Sequence, residues 1–236
     1  MVYICRTGKL TNSQQENLLA FLSEAERQKA FKFKDRTSAE LYLQSHAFKR
    51  ILLAKELQQP PQSLLFEENA FGKPFLTGLS EKTYFNLAHT PGMAALIISD
   101  QPLTGVDVER IRPQDFDLIK CTFFHQDELE EFKGINAPEE RQNYFYRIWV
   151  IKETYLKALG VGLSIDPTSL KVGSEKNHFV VKQSKKKNTA PLHIHYVQLN
   201  NFALAYCNTT SGKQQITDAT GYVLDCKLNQ NSVAAI

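Results

Sequence analysis

Apolar residues along this chain change period several times, and each change marks an element. Across 38–58, Leu41, Phe48, Ile51 and Leu52 recur at helical spacing with Ala47 beside them, and Pro60-Pro61 ends the run. Residues 11–34 read as one helix ahead of it. Residues 83–88 and 93–99 then read as strands joined by the turn-like tetrapeptide His89-Thr90-Pro91-Gly92, and 105–109 as a third strand after a turn around Pro102. Helices return with Phe116, Ile119 and Phe123 in a short one and 127–132 in another. A long helix over 139–159 carries Phe145, Ile148, Trp149, Leu156 and Leu159 on one broad stripe, and Gly160 and Gly162 are its terminators. Strands follow at 168–173, 178–182, 193–199 and 202–207, the last two flanking a hairpin turn at Asn200-Asn201. Helices followed by strands, twice over, predict an α+β protein of two similar lobes. The polar tail after Asn208 predicts nothing further.

Composition narrows the function classes. The 236 residues are 42% hydrophobic and 22% charged, which excludes wholesale disorder and fits one large domain or two small lobes. A net charge of +3 is too slight to argue for a nucleic-acid partner. No apolar run approaches the roughly 20 residues of a membrane helix, and the opening MVYICRTGKL lacks the apolar core of a signal peptide. Cys5, Cys121, Cys207 and Cys226 are scattered without a CxxC pair, as single thiols of a cytoplasmic protein are.

Several short segments carry candidate chemistry. In GVDVER (105–110), strand alternation puts Asp107 and Glu109 on one face and Val106 and Val108 on the other. Two carboxylates about 7 Å apart can hold a hard cation, although the same pattern describes a half-buried strand facing water. In WVIKETYLKALG (149–160), Trp149, Glu153 and Lys157 form one helical row with Lys152 beside it. That row suits metal ligation, proton transfer or a phosphate, and it equally suits a surface Glu–Lys pair. Gly72 and Pro74 tighten the backbone around Lys73, a point charge for a phosphate or a plain turn lysine. Asn86 and His89 lie near a strand end, where a histidine meets a phosphate or merely turns the chain. Lys29, Lys32, Lys34 and Arg36 interleave with Phe31 and Phe33, the pattern of a solvated helix face, and Lys185-Lys186-Lys187 read as an exposed loop.

Taken in order, GKP (72–74), FNLAH (85–89), GVDVE (105–109) and WVIKE with Lys157, Gly160, Gly162 and Leu163 resemble the long, Sfp-type 4′-phosphopantetheinyl transferases. About 45 residues separate the carboxylate strand from the helix motif, and weaker similarity reaches back to SEAERQKAFKF at residue 23. The resemblance implies an enzyme that moves the phosphopantetheine arm of coenzyme A to a serine of an apo acyl or peptidyl carrier protein, leaving adenosine 3′,5′-bisphosphate. It implies an α+β monomer of two pseudo-twofold lobes, here 1–104 and 105–236, with a magnesium site in the cleft between them. By the same resemblance Asp107, Glu109 and Glu153 are metal ligands, Glu153 is the candidate to accept the serine proton, directly or through a metal-bound water, and Lys157 neutralises or protonates the departing phosphate. Lys73 and His89 hold phosphates of the nucleotide half, with Lys29, Ala88 and Thr90 at its edge, and Trp149 and Lys152 shape the cleft. Fatty-acid, polyketide and peptide synthesis remain equal destinations, and an acidic carrier helix is expected to dock on apolar and basic surface near the cleft, around 121–124 and the segment after it.

Two positions depart from the family pattern. Leu41 stands before Tyr42 where the family often has a 3′-phosphate-binding arginine, which leaves the nucleotide-end contacts open, with Lys29, Lys32 and Arg36 as candidates to compensate. Ala88 stands where many members have serine. A magnesium-dependent nuclease also uses clustered carboxylates and lysine, but GVDVER lacks the ExK continuation of many such strands. A binding module without catalysis is the third reading, and the intact Asp107, Glu109, Glu153 and Lys157 set speaks against it.

Overall fold

The computed structural model describes residues 1–78, 82–116, 119–183, 192–209 and 212–226. The lysines at 185–187 lie outside the described residues. The chain runs β1 (Val2–Arg6), α1 (Asn12–Phe21), α2 (Glu24–Phe31), α3 (Arg36–Leu57), β2 (Leu65–Glu68), β3 (Pro74–Thr77), β4 (Tyr84–Thr90) and β5 (Met93–Ser99). The order of one strand, three helices and four strands then repeats as β6 (Gly105–Arg110), α4 (Lys120–Phe123), α5 (Gln126–Gly134), α6 (Pro138–Leu159), β7 (Leu170–Glu175), β8 (His178–Gln183), β9 (His193–Leu199) and β10 (Phe202–Asn208). In both halves the opening strand pairs antiparallel with the closing one, β1 with β5 and β6 with β10. The halves differ in their middle hairpin. β7–β8 joins the five-stranded sheet β6-β10-β9-β8-β7, whereas β2–β3 stands apart as a two-stranded ribbon.

A mixed α+β fold is therefore what the hydrophobic pattern predicts, with corrections. The helix expected over 11–34 is two helices. Leu22 is extended, and Ser23 opens α2 with a capping box, its hydroxyl accepting from the Glu26 N–H while Glu26 accepts from the Ser23 N–H. The β2–β3 ribbon is not predicted by the pattern, because its four-residue strands, LFEE and PFLT, are too short to show an apolar alternation. His89 and Thr90 belong to β4, so the hairpin turns at Pro91-Gly92 alone. The segment after Asn208, assigned above with 105–236 to the second lobe, returns to the first. There β11 (Ile216–Asp218) pairs parallel with β1, and α7 (Thr220–Asp225) packs Val223 into the first lobe's core. That pairing is long-range, so local pattern does not reveal it.

Strand alternation distributes the core. Along β10, Ala203, Ala205 and Cys207 face α6, while Phe202, Leu204 and Tyr206 face the other sheet. Along β6, Val106 and Val108 join Val2, Ile4, Ala95 and Ile97 in a layer between the two sheets. Asp107 accordingly points the opposite way, toward α6. Asn86 of β4 ties the lobes, its Oδ1 accepting from the Val106 N–H at 3.0 Å.

Candidate active site

The strand β6 and the helix α6 bring the predicted row and the predicted pair together. α6 crosses the start of β6 so closely that a Cβ at Gly105 would sit 2.3 Å from the Thr154 carbonyl oxygen. Glycine is the residue that permits this crossing. Asp107 is buried, and its Oδ1 accepts from the Lys157 ammonium at 2.6 Å. Its Oδ2 is also buried and accepts no hydrogen bond. Burial opposes the charge on Lys157, but Asp107, Glu153 and Glu109 outweigh it and raise the lysine's pKa, so it stays an ammonium ion.

The other two carboxylates are strained electrostatically. Burial, then the Asp107 charge, pushes the Glu109 carboxyl up to about 7, opposed by the Thr90 hydroxyl that donates to its Oε2 at 3.2 Å. Burial and then Asp107 also raise the Glu153 carboxyl, against the pull of Lys157. The three carboxylates thus stand in one another's field. Among the described residues, no three His, Cys, Asp or Glu side chains already close around one point. Two cavities flank the group. One, of about 250 Å³, is lined by Phe71, Lys73, Leu87, Glu153, Leu156 and Lys157. The other, of about 200 Å³, is lined by Thr90, Glu109, Arg110, Arg112, Tyr146 and Trp149.

A family model described as the 4′-phosphopantetheinyl transferase superfamily matches residues 104–207, which span β6 through β10 and hold Asp107, Glu109, Glu153 and Lys157. The chain is 27% identical over 236 residues to the 4′-phosphopantetheinyl transferase gsp of Aneurinibacillus migulanus, covering 95% of this chain and 96% of that protein. It is 30% identical to the 4′-phosphopantetheinyl transferase psf-1 of Bacillus pumilus over 66% of this chain and 65% of that one. It is 26% identical to the 4′-phosphopantetheinyl transferase Sfp of Bacillus subtilis strain 168 over 69% and 71%. Over most of its length the chain is similar to 4′-phosphopantetheinyl transferases. The relatives include Sfp itself, and these matches favour a transferase over a nuclease.

Around these carboxylates the remaining expected residues fall into three groups. His89 and Lys29 are both exposed. Surrounding protein and then Lys157 lower the His89 pKa, which leaves the imidazole neutral near pH 7. Lys29 is exposed with its ammonium 5.6 Å from the Tyr42 ring centroid. His46 stacks on that ring, donates from Nδ1 to the Glu26 carboxylate at 3.2 Å, and stands near enough to His89 that a proton on either ring disfavours one on the other. Sequence reading missed His46, because one histidine on a helix face carries no signal. Thr90 and Ala88 form the second group, and both are buried, Thr90 in the wall of the second cavity. Thr90 holds Glu109, and Ala88 is buried between the sheets.

The third group corrects the expectations. Lys152 does not border the cleft. It is fully buried, 2.6 Å from Glu128 Oε2, and donates to the Phe123 and Pro167 carbonyls at 2.9 and 3.0 Å. One residue along a helix is a turn of about 100°, so the neighbour of Glu153 faces the core. Burial lowers its pKa, against Glu128. Lys73 lines the first cavity, but its ammonium donates to the Thr104 and Ala158 carbonyls at 3.1 and 2.9 Å. The C-terminal carbonyls of α6 lack intrahelical donors and carry the negative end of the helix dipole, so they compete with a phosphate for this lysine. Trp149 lines the second cavity and stacks on Phe123, ring centroids 4.2 Å apart.

Proposed function

We propose that the chain transfers the 4′-phosphopantetheine arm of coenzyme A to a serine hydroxyl of an apo acyl or peptidyl carrier protein, releasing adenosine 3′,5′-bisphosphate. The observation that carries this reading is the Asp107–Lys157 pair with Glu109 and Glu153 around it, set between two cavities in a chain similar to this family. The serine oxygen bonds to the β-phosphorus, and the bond from that phosphorus to the bridging oxygen breaks. Catalysis of such a step is chiefly positioning and charge neutralisation.

Glu153 takes the serine proton. Its raised pKa makes it a better base at neutral pH than an ordinary glutamate. Lys157, kept charged by its carboxylate neighbours, neutralises the departing α-phosphate. Asp107 aims that ammonium through Oδ1. The donor set suits magnesium, since Oδ2 of Asp107 is an orphaned buried oxygen and Glu109 and Glu153 are hard oxygen ligands whose mutual repulsion a cation relieves. Those three residues would hold the ion, which would neutralise charge on the pyrophosphate oxygens. His89, Lys29 and the neighbouring His46 serve the phosphate at the nucleotide end. Arg110 and Arg112 beside Tyr146 and Trp149 offer the basic and apolar surface that an acidic carrier helix needs.

A monomer acting alone is part of the proposal, as the resemblance implies. No helix among the described residues is long and apolar enough to cross a membrane, and a cytoplasmic site of action is part of the proposal. The test is mass spectrometry of several apo carriers after incubation with the protein, coenzyme A and magnesium. A mass gain of one phosphopantetheine is expected, and Asp107→Ala should abolish it. A broad carrier panel without any adduct would refute the transferase function.

A further inference from the structure

The β2–β3 ribbon looks dispensable, since it belongs to neither large sheet. Its turn nevertheless reaches across to the second lobe. Asn69 organises that turn: its Oδ1 accepts from the backbone N–H groups of Phe71 and Lys73, both at 2.9 Å. Its Nδ2 donates to the Gly160 carbonyl at 2.8 Å. The Asn69 side chain therefore makes three bonds, two that shape the turn and one that grips the end of α6. Lys73, four residues on, sends its ammonium to the Ala158 carbonyl in the last turn of α6 and to the Thr104 carbonyl just ahead of β6. Fit is tight, because a Cβ at Gly160 would meet Lys73 Cδ at 2.8 Å and Asn69 Nδ2 at 3.0 Å.

The two ends gripped are those that carry the chemistry. Ala158 follows Lys157 directly, and Thr104 is three residues before Asp107. We propose that Asn69 and Lys73 are positioning residues: the ribbon of the first lobe clasps the end of α6 to the start of β6, and so fixes Glu153 and Lys157 against Asp107 and Glu109. The consequence for activity rests on the transferase function above. The clasp itself does not, and it assigns the lysine of the GKP turn to the protein's own carbonyls rather than to a phosphate. A lysine spent on two carbonyls acts on the reaction through the helix that it holds.

Two variants test this. Asn69→Asp keeps the acceptor that builds the turn but replaces the donor to Gly160 with a carboxylate oxygen. Lys73→Met keeps the apolar stem and removes the ammonium. Amide hydrogen exchange across 156–160 should quicken about tenfold or more in each, because the last turn of α6 loses its outside donors. In transfer assays kcat should fall about tenfold while the KM for coenzyme A stays within about twofold, as expected for misplaced catalytic groups with intact binding. Lys73→Arg, which restores two-carbonyl donation, should recover most of the kcat. Unchanged exchange in Asn69→Asp would overturn the clasp. So would a KM for coenzyme A about tenfold higher with kcat intact in Lys73→Met. Exchange decides the clasp even if wild-type protein modifies no carrier, a result that would fell only the transferase function. Should Lys73→Met not fold, Asn69→Asp decides it alone.

Discussion

Gly105→Ala probes the crossing of β6 and α6. The added methyl carbon would lie 2.3 Å from the Thr154 carbonyl oxygen and 2.9 Å from the Ala158 nitrogen. Both are backbone atoms of α6, so no side-chain rotation relieves the contact. Ordinary contact begins at about 3.4 Å, so strand and helix must part by 3.4 − 2.3, or about 1.1 Å. Overpacking of this kind costs roughly 1–3 kcal/mol, or a Tm lower by about 2–12 °C for a chain of this size. The larger effect falls on activity. The Lys157–Asp107 bond of 2.6 Å spans the same interface and would stretch past hydrogen-bonding range. A misplacement of about 1 Å at reacting groups costs on the order of a hundredfold in rate. The assay is phosphopantetheine transfer followed by mass spectrometry, beside a thermal melt. Gly173→Ala is the control, because its Cβ would meet Val180 Cγ2 at an ordinary 3.6 Å. If Gly105→Ala matched that control in both Tm and kcat, the close crossing would not be what sets the site.

Two further outcomes follow from the charges. Lys152→Met strands Glu128 in the core, so it should cost about 3–5 kcal/mol of stability in a denaturant titration while leaving the KM for coenzyme A unchanged; a raised KM with normal stability would return Lys152 to the cleft. Glu109 has a folded-state pKa of about 7 against an unfolded value of 4.5, so between those values the native state binds more protons and the stability this group contributes falls as pH rises. Melts in a chelating buffer should therefore show Glu109→Gln gaining on wild type as pH climbs from about 4.5 to above 7, and a difference that stays flat with pH would contradict the burial of that carboxyl.

The legible parts of this protein are those that local geometry controls. Strand alternation places Asp107 opposite Val106, and helical spacing aligns Glu153 with Lys157, so both could be read before any fold was known. Whether the pair and the row meet depends on Gly105, whose meaning lies in a helix some 50 residues away. Lys152 misled because adjacency in sequence hides a rotation about the helix axis, and its partner Glu128 is on another helix. Lys73 looked like a phosphate contact because its carbonyl partners leave no mark in the sequence. The break between α1 and α2 was readable in hindsight, since Ser23-Glu24-Ala25-Glu26 spells a capping box.

The return of β11 to β1 also bears on how the protein is made. The first lobe's own helices and strands end at Ser99, yet the edge of its sheet is closed by Ile216–Asp218. At ribosomal speeds of about 5–20 residues per second, those 116 intervening residues take on the order of ten seconds to emerge. For that interval the outer edge of β1 presents unpaired backbone groups, a surface open to mispairing with another nascent chain. The first lobe is thus the first to be started on the ribosome and the last to be sealed.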